Sequence, residues 1–287
     1  MGQEEERDDD LLSSSACRDE LQHFKGRHPE FADVLARLQG VLEQAFCREL
    51  QITPEKRALQ VAVFGLGHQA ADDFFDVVLL AIHGYGIGAR KLLRPLFERV
   101  VSALYLIKHP EEVEDFDDYI DIDAWHLLTN AKRVGIDPVA LMGKDRFDQA
   151  ETAYKDAEAR FTRPGAKRAR PSWAQKDLAQ RAEEVGLGKL YATCGFWPTM
   201  LLHSTGLSLE ARLTMTDTGA RLFTHKATRD DADEAVRRAH DLSVLLLHGC
   251  DELFAWGLDI AALAQDVRSP GRTGSPDTPR NSAARAA

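Results

Sequence analysis

Apolar residues recur at helical spacing along most of the chain. Between residues 19 and 50, Phe31, Val34, Leu35, Leu38, Val41, Leu42 and Phe46 fall three or four apart, with a break at His28 and Pro29. That pattern predicts two helices meeting at the proline. Further helical segments are predicted over 68–82 and 88–108, and from Pro110, a residue suited to a first helical position, to about residue 135. Residues 145–161 and 172–185 predict polar helices; in the second, Ser172 is the expected N-cap, with Gln175 three residues on. Residues 187–203 form another candidate, which Pro198 should kink or end. The last helix has the plainest pattern. Leu242, Leu246, Gly249, Leu253, Trp256, Ile260 and Leu263 alternate steps of four and three, a continuous apolar stripe. Asp230, Asp231 and Asp233 stand at its start, where the helix dipole favours acids.

The fold class expected is therefore all-α, a single helical-bundle domain of about seven to nine helices over residues 18–268. Residues 1–17 are acidic and then Ser-rich, and residues 269–287 are a Ser/Pro/Gly/Arg tail. Both are predicted to be disordered, because they have little to bury. No repeat of 20–50 residues is visible.

Composition narrows the function. Apolar residues make up 44% and charged residues 29% of the 287 residues, enough for a sizeable core and a water-facing surface. The net charge is −10, unevenly placed. Residues 1–20 hold eight acids against Arg7 and Arg18, while the tail holds Arg272, Arg280 and Arg285 against Asp277. A mildly acidic middle argues against a broad nucleic-acid surface and leaves a local basic stripe open. The stretch RFTRPGAKRAR, with Arg163, Lys167, Arg168 and Arg170, is such a stripe. It reads either as a solvated linker or as a phosphate or RNA contact. Only Phe161 could stack on a base there.

Four cysteines, Cys17, Cys47, Cys194 and Cys250, form no C-x-x-C pair and read as reduced thiols. The acidic start MGQEEERDDD is the opposite of a signal peptide's. Apolar runs such as VVLLAI fall far short of the roughly 20 residues of a membrane span. The expectation is a cytoplasmic protein with no membrane contact.

The segment LQVAVFGLGHQAADDF contains Gly65, Gly67 and Ala70 at dinucleotide-fingerprint spacing. That motif needs an acid about 20 residues on, yet no Asp or Glu stands between Asp76 and Glu98. No alternation of strands and helices follows to build a parallel sheet. A helix, a glycine turn and a second helix is the preferred reading, and no cofactor is nominated. Other motifs are weak. Arg18-x4-His23 matches the helical-ribonuclease pattern Arg-x(4–6)-His, but such pairs arise by chance. Asp121, Asp123 and His126 could ligate a metal or simply belong to a solvated acidic face. A carboxylate-bridged centre needs two Glu-x-x-His pairs on facing helices; Glu20 and His23 make one and no second is present, and no metal ligand set is assigned.

The central helix is more informative. In IGARKLLRPLFERVVSALYLI the apolar positions span a wide arc, as in a buried helix. Arg94 and Glu98 stand four apart within it and can meet. Buried charges are costly unless paired. The pair is either a structural tie or part of a polar pocket facing a ligand. Pro95 should bend the helix there. A second polar set, Tyr191, Thr199, His203 and Ser204, interrupts an apolar stretch.

The runs ARKLLRPLFER and YLIKHP, with the later segment from Trp173 through Tyr191 to His203 and Ser204, resemble a bacterial family known only as domain of unknown function 5677. The resemblance spans roughly residues 60–210. It implies that Arg94, Glu98, Tyr191 and His203 converge, and it implies no reaction. In one reading His203 is a general acid/base, Glu98 its orienter and Arg94 an anion anchor, with an RNA- or phosphodiester-directed effector activity. The alternatives are a non-enzymatic module dimerising through the last helix, and a bundle that binds an anionic small molecule.

Overall fold

In the computed structural model of the chain, residues 15–265 are described, except 167, 204–205, 217 and 224–226. The architecture is all-α. Helices α1 (Ser15–Arg27) and α2 (Pro29–Phe46) are followed by α3 (Arg57–Ile82), α4 (Gly86–Lys108) and α5 (Val113–Arg133). A short α6 (Pro138–Met142) leads into α7 (Lys144–Phe161). Short pieces come next: α8 (Leu178–Glu184), α9 (Gly188–Leu190), a π-helical turn over Tyr191–Phe196, α10 (Trp197–Leu202) and α11 (Gly206–Glu210). Strands β1 (Leu213–Met215) and β2 (Arg221–Phe223) pair antiparallel, and α12 (Arg229–Phe254) and α13 (Ile260–Gln265) close the chain. Of the expected tails, residues 15–17 belong to α1, while 1–14 and 269–287 lie outside the described residues.

Helices α3, α4 and α12 pack against one another pairwise and form the centre. Phe74 and Val77 of α3, Leu93, Phe97 and Val100 of α4, and Leu242 and Leu246 of α12 are all buried there. Burying each such side chain stabilises the fold by about 1.5–3 kcal/mol. Helix α2 adds Leu38, Leu42 and Phe46 to the same core. The stripe of the last helix is thus covered inside the chain. Helices α5 and α7 make a satellite core from Tyr119, Ile122, Ala157 and Phe161. The acids at the start of α12 fasten neighbouring helices. Asp233 takes two bonds from Arg27 of α1, at 2.7 and 3.0 Å, and Asp231 takes one from Arg90 of α4 at 2.5 Å.

Four local expectations are corrected. First, Gly65 and Gly67 lie inside one unbroken helix, α3, and not at a turn. Gly67 is there for packing, since a Cβ would stand 2.2 Å from the Phe46 ring. Second, the helix expected over 172–185 begins only at Leu178. Asp177 caps it and Gln180 completes the capping box, so the Asp–Gln pair holds the role expected of Ser172 and Gln175. Third, the segment 187–203 contains a π-helical turn, and Pro198 sits in the first turn of α10, where its missing N–H costs nothing. Fourth, the last helix stops at Phe254. Ala255 adopts a left-handed conformation, φ 52°, and caps it, so Trp256, Ile260 and Leu263 follow a break. Pro95, by contrast, lies within a continuous α4.

Candidate functional site

Arg94 and Glu98 do meet. Arg94 Nη2 lies 3.4 Å from Glu98 Oε2, with the two side chains 26% and 48% exposed. The pair therefore sits at the rim of α4 and not in its buried arc. At that exposure and separation its contribution to stability is a few tenths of a kcal/mol. Arg94 Nη1 also donates to the Gly195 carbonyl, at 3.4 Å, in the π-helical turn. Gly195 allows this turn to approach α4, because a Cβ would stand 2.9 Å from the Tyr191 ring and 3.3 Å from Phe97. Tyr191 packs on Phe97 with ring centroids 6.3 Å apart. Arg94, Glu98 and Tyr191 thus share one neighbourhood. His203 ends α10 with its side chain exposed, and that side chain has no polar partner among the described residues. Among the described residues no hydrogen bond or ion pair joins it to Glu98 or Arg94.

One turn beyond Glu98 lies a group that the sequence pattern did not single out. Arg181 of α8 is 3% exposed. Its Nη1 donates to Ser102 Oγ of α4 at 2.9 Å, and its guanidinium lies 4.8 Å over the Trp173 ring. Burial lowers its affinity for the proton, and Glu98 provides the largest opposing charge, ahead of Tyr105 and Glu112. Among the described residues it forms no ion pair. Nearby, Tyr105 donates to Glu112 at 2.7 Å, and burial first, then that carboxylate, holds its hydroxyl well above the ordinary value. Arg181 Nε and Glu112 Oε2 are buried without a protein partner among the described residues. The signal for this group was available: Ser102 continues the i, i+4 line of Arg94 and Glu98, and Trp173 precedes the cap of α8. Arg181 itself looked like part of a solvated polar helix.

The basic stretch resolves into two kinds of arginine. Arg170 is tied down. It donates to Asp115 at 2.6 Å and to the carbonyls of Ser172 and Trp173, and it stacks 4.8 Å over Phe161. Phe161, 2% exposed, is unavailable to stack on a base. The acidic start of α5 is thus partly consumed, since Arg160 also pairs with Asp115 and Asp118. Arg163 and Arg168 are exposed, and neither has an acidic partner among the described residues. Together with Arg170, Lys176 and Gln175 they line an open cleft of about 390 Å³. Lys176 on that wall is held by Glu184, whose carboxyl it lowers. Lys167 lies outside the described residues.

The remaining sequence candidates stay apart. Arg18 and His23 are both exposed on α1. Asp123 and His126 are exposed on α5, and among the described residues no three His, Cys, Asp or Glu side chains are placed to hold a metal ion. Among the same residues no helix is long and apolar enough to cross a membrane. Cys47 is exposed, whereas Cys194 and Cys250 are buried thiols, pushed up by burial to about 11 and about 12.

A protein-family model described as "Family of unknown function (DUF5677)" matches residues 70–220. That span contains Arg94, Glu98, Arg181, Tyr191, His203 and the basic cleft. No curated protein and no solved structure matches the chain.

Proposed function

We propose that this chain, which belongs to the family of unknown function DUF5677, binds a phosphodiester ligand, RNA foremost, in the cleft between α7 and α8. The observation that carries this reading is the division of labour among its cations. Arg170 and Lys176 are fixed by Asp115 and Glu184, whereas Arg163 and Arg168 reach the same cleft without an acidic partner among the described residues. A guanidinium presents a planar fork that matches two phosphate oxygens. The rest of the chain is acidic, so a polyanion is repelled elsewhere and guided to the cationic cleft. Because Phe161 is already covered by Arg170, binding rests on phosphate contacts, which position a strand but read little sequence.

The direct test is fluorescence anisotropy with a labelled single-stranded RNA, using the full chain and the double variant Arg163→Glu, Arg168→Glu. Both side chains are exposed, so the variant should fold normally. The reading expects wild-type binding and a loss of about tenfold or more in the variant. An excess of a mononucleotide should compete weakly. Equal binding by the two proteins, or no binding by the wild type, would overturn it.

A second reading draws on the π-helical turn, a feature often found at functional sites. In it, Arg94 anchors an anion beside Tyr191, and His203 swings in as general acid/base, oriented by Glu98. Alanine at Glu98 or His203 would then abolish RNA turnover while leaving the melting temperature in place. Turnover retained by both variants sinks it.

A further inference from the structure

Helix α5 buries one face against α7 through Tyr119 and Ile122. Its opposite face is apolar and open. Ile120, Ala124, Leu127, Ala131 and the C-cap residue Val134 follow one another at steps of four, three, four and three. Ile120, Leu127 and Val134 are 67%, 71% and 75% exposed. A line repeating every 3.5 residues is the seam of a coiled coil, apolar because a second helix covers it. Among the described residues none covers these three large aliphatic side chains. A contiguous exposed apolar stripe of this length marks an interaction surface.

The charges on its flank identify the partner and its direction. Asp121 and Lys132 are eleven positions apart, a separation that returns to the same side of a helix after three turns. Both border the seam on that side, and neither has an ion-pair partner among the described residues. Antiparallel pairing with an identical helix, centred on Leu127, brings Asp121 of each copy to Lys132 of the other. Parallel pairing would leave Asp121 and Lys132 of different copies about three turns apart and on opposite sides of the seam, so neither could bridge to the other. We infer that α5 is the interface of an antiparallel homodimer, with Leu127 on the two-fold axis and two Asp121–Lys132 bridges at its edges. The interface is isologous, as a two-fold axis demands. It lies on the face of α5 remote from α7 and does not depend on what the basic cleft binds.

The full chain should sediment as a dimer at micromolar concentrations. Leu127→Lys should sediment as a monomer with unchanged helical circular dichroism, because the side chain it replaces is mostly exposed within the chain. Asp121→Lys and Lys132→Asp should each weaken the dimer severalfold, and the double exchange should restore it. That rescue is specific to the antiparallel arrangement. A wild type that is monomeric throughout the range, a Leu127→Lys protein that stays dimeric, or a double exchange no stronger than the singles would each overturn the inference.

Discussion

Arg170 and Arg181 lie in the same part of the fold and are held in opposite ways. Arg170 has a carboxylate, two carbonyls and an aromatic face. Arg181, more deeply buried, has among the described residues one hydroxyl and one aromatic face, and its Nε has no partner among them. A buried charge without a counter-ion is stabilised poorly, and an apolar isostere often replaces such a group at no loss. Breaking a satisfied, largely buried cluster leaves other groups unpaired and costs more. Arg181→Met should therefore change unfolding stability by about 1 kcal/mol or less. Arg170→Met should cost about 2 kcal/mol or more, because Asp115 and two carbonyls lose their donor. Urea unfolding of the two variants checks the order. A costlier Arg181→Met would mean that Arg181 is satisfied by something other than the groups named here.

At the scale of elements, the sequence reads well where one periodicity runs between clear breakers. Pro29 at the start of α2, the apolar arc of α4, Pro110 ahead of α5 and the polar run over 145–161 mark those helices directly. It reads poorly where tertiary packing overrides a local signal. Gly65 and Gly67 look like a turn or a phosphate loop, yet they stand in mid-α3 with unlike surroundings. A Cβ at Gly65 meets nothing within 4 Å, whereas at Gly67 it would stand 2.2 Å from Phe46, a ring wedged against Phe64 and Trp256. Gly65→Ala should stabilise α3 by up to about 1 kcal/mol, and Gly67→Ala should destabilise it by about 1–3 kcal/mol. Chemical denaturation of both variants measures the difference, and equal effects would contradict the packing role. The break after Phe254 was hidden for a related reason. The stripe keeps its spacing through Trp256 and Ile260, and the left-handed Ala255 has no glycine to announce it. For the site, the sequence nominated Arg94, Glu98, Tyr191, His203 and the basic stretch. Ser102 on the same line pointed to this neighbourhood, but Arg181 itself stood in a polar helix, and its burial arises only when α8 folds over Ser102.

The whole molecule is a central three-helix layer with elements fastened to it by ions. The N-terminal α1 is one of these. Arg229 of α12 donates to Glu20 at 2.8 and 3.0 Å, and those bonds hold the Glu20 carboxyl below its ordinary value. A lowered carboxylate contributes stability above its unfolded value and loses it as the pH falls through the folded one. The protection of the α1 amides, taken relative to the intrinsic exchange rate at each pH, should therefore fall on acidification below the ordinary carboxylate range, and Glu20→Gln should show that lower protection already at neutral pH. Unchanged protection in the variant would contradict the tie. The chain carries a net charge of −10 while the cleft exposes Arg163 and Arg168, and that contrast underlies the proposed ligand. The salt dependence of RNA binding tests it most directly. Affinity for a single strand falls with salt by a log–log slope of about 0.7 per phosphate contact. Replacing Arg163 and Arg168 by alanine should make the slope shallower by about 1.4, two contacts' worth. A slope identical to that of the wild type would place the phosphate contacts elsewhere and contradict the account.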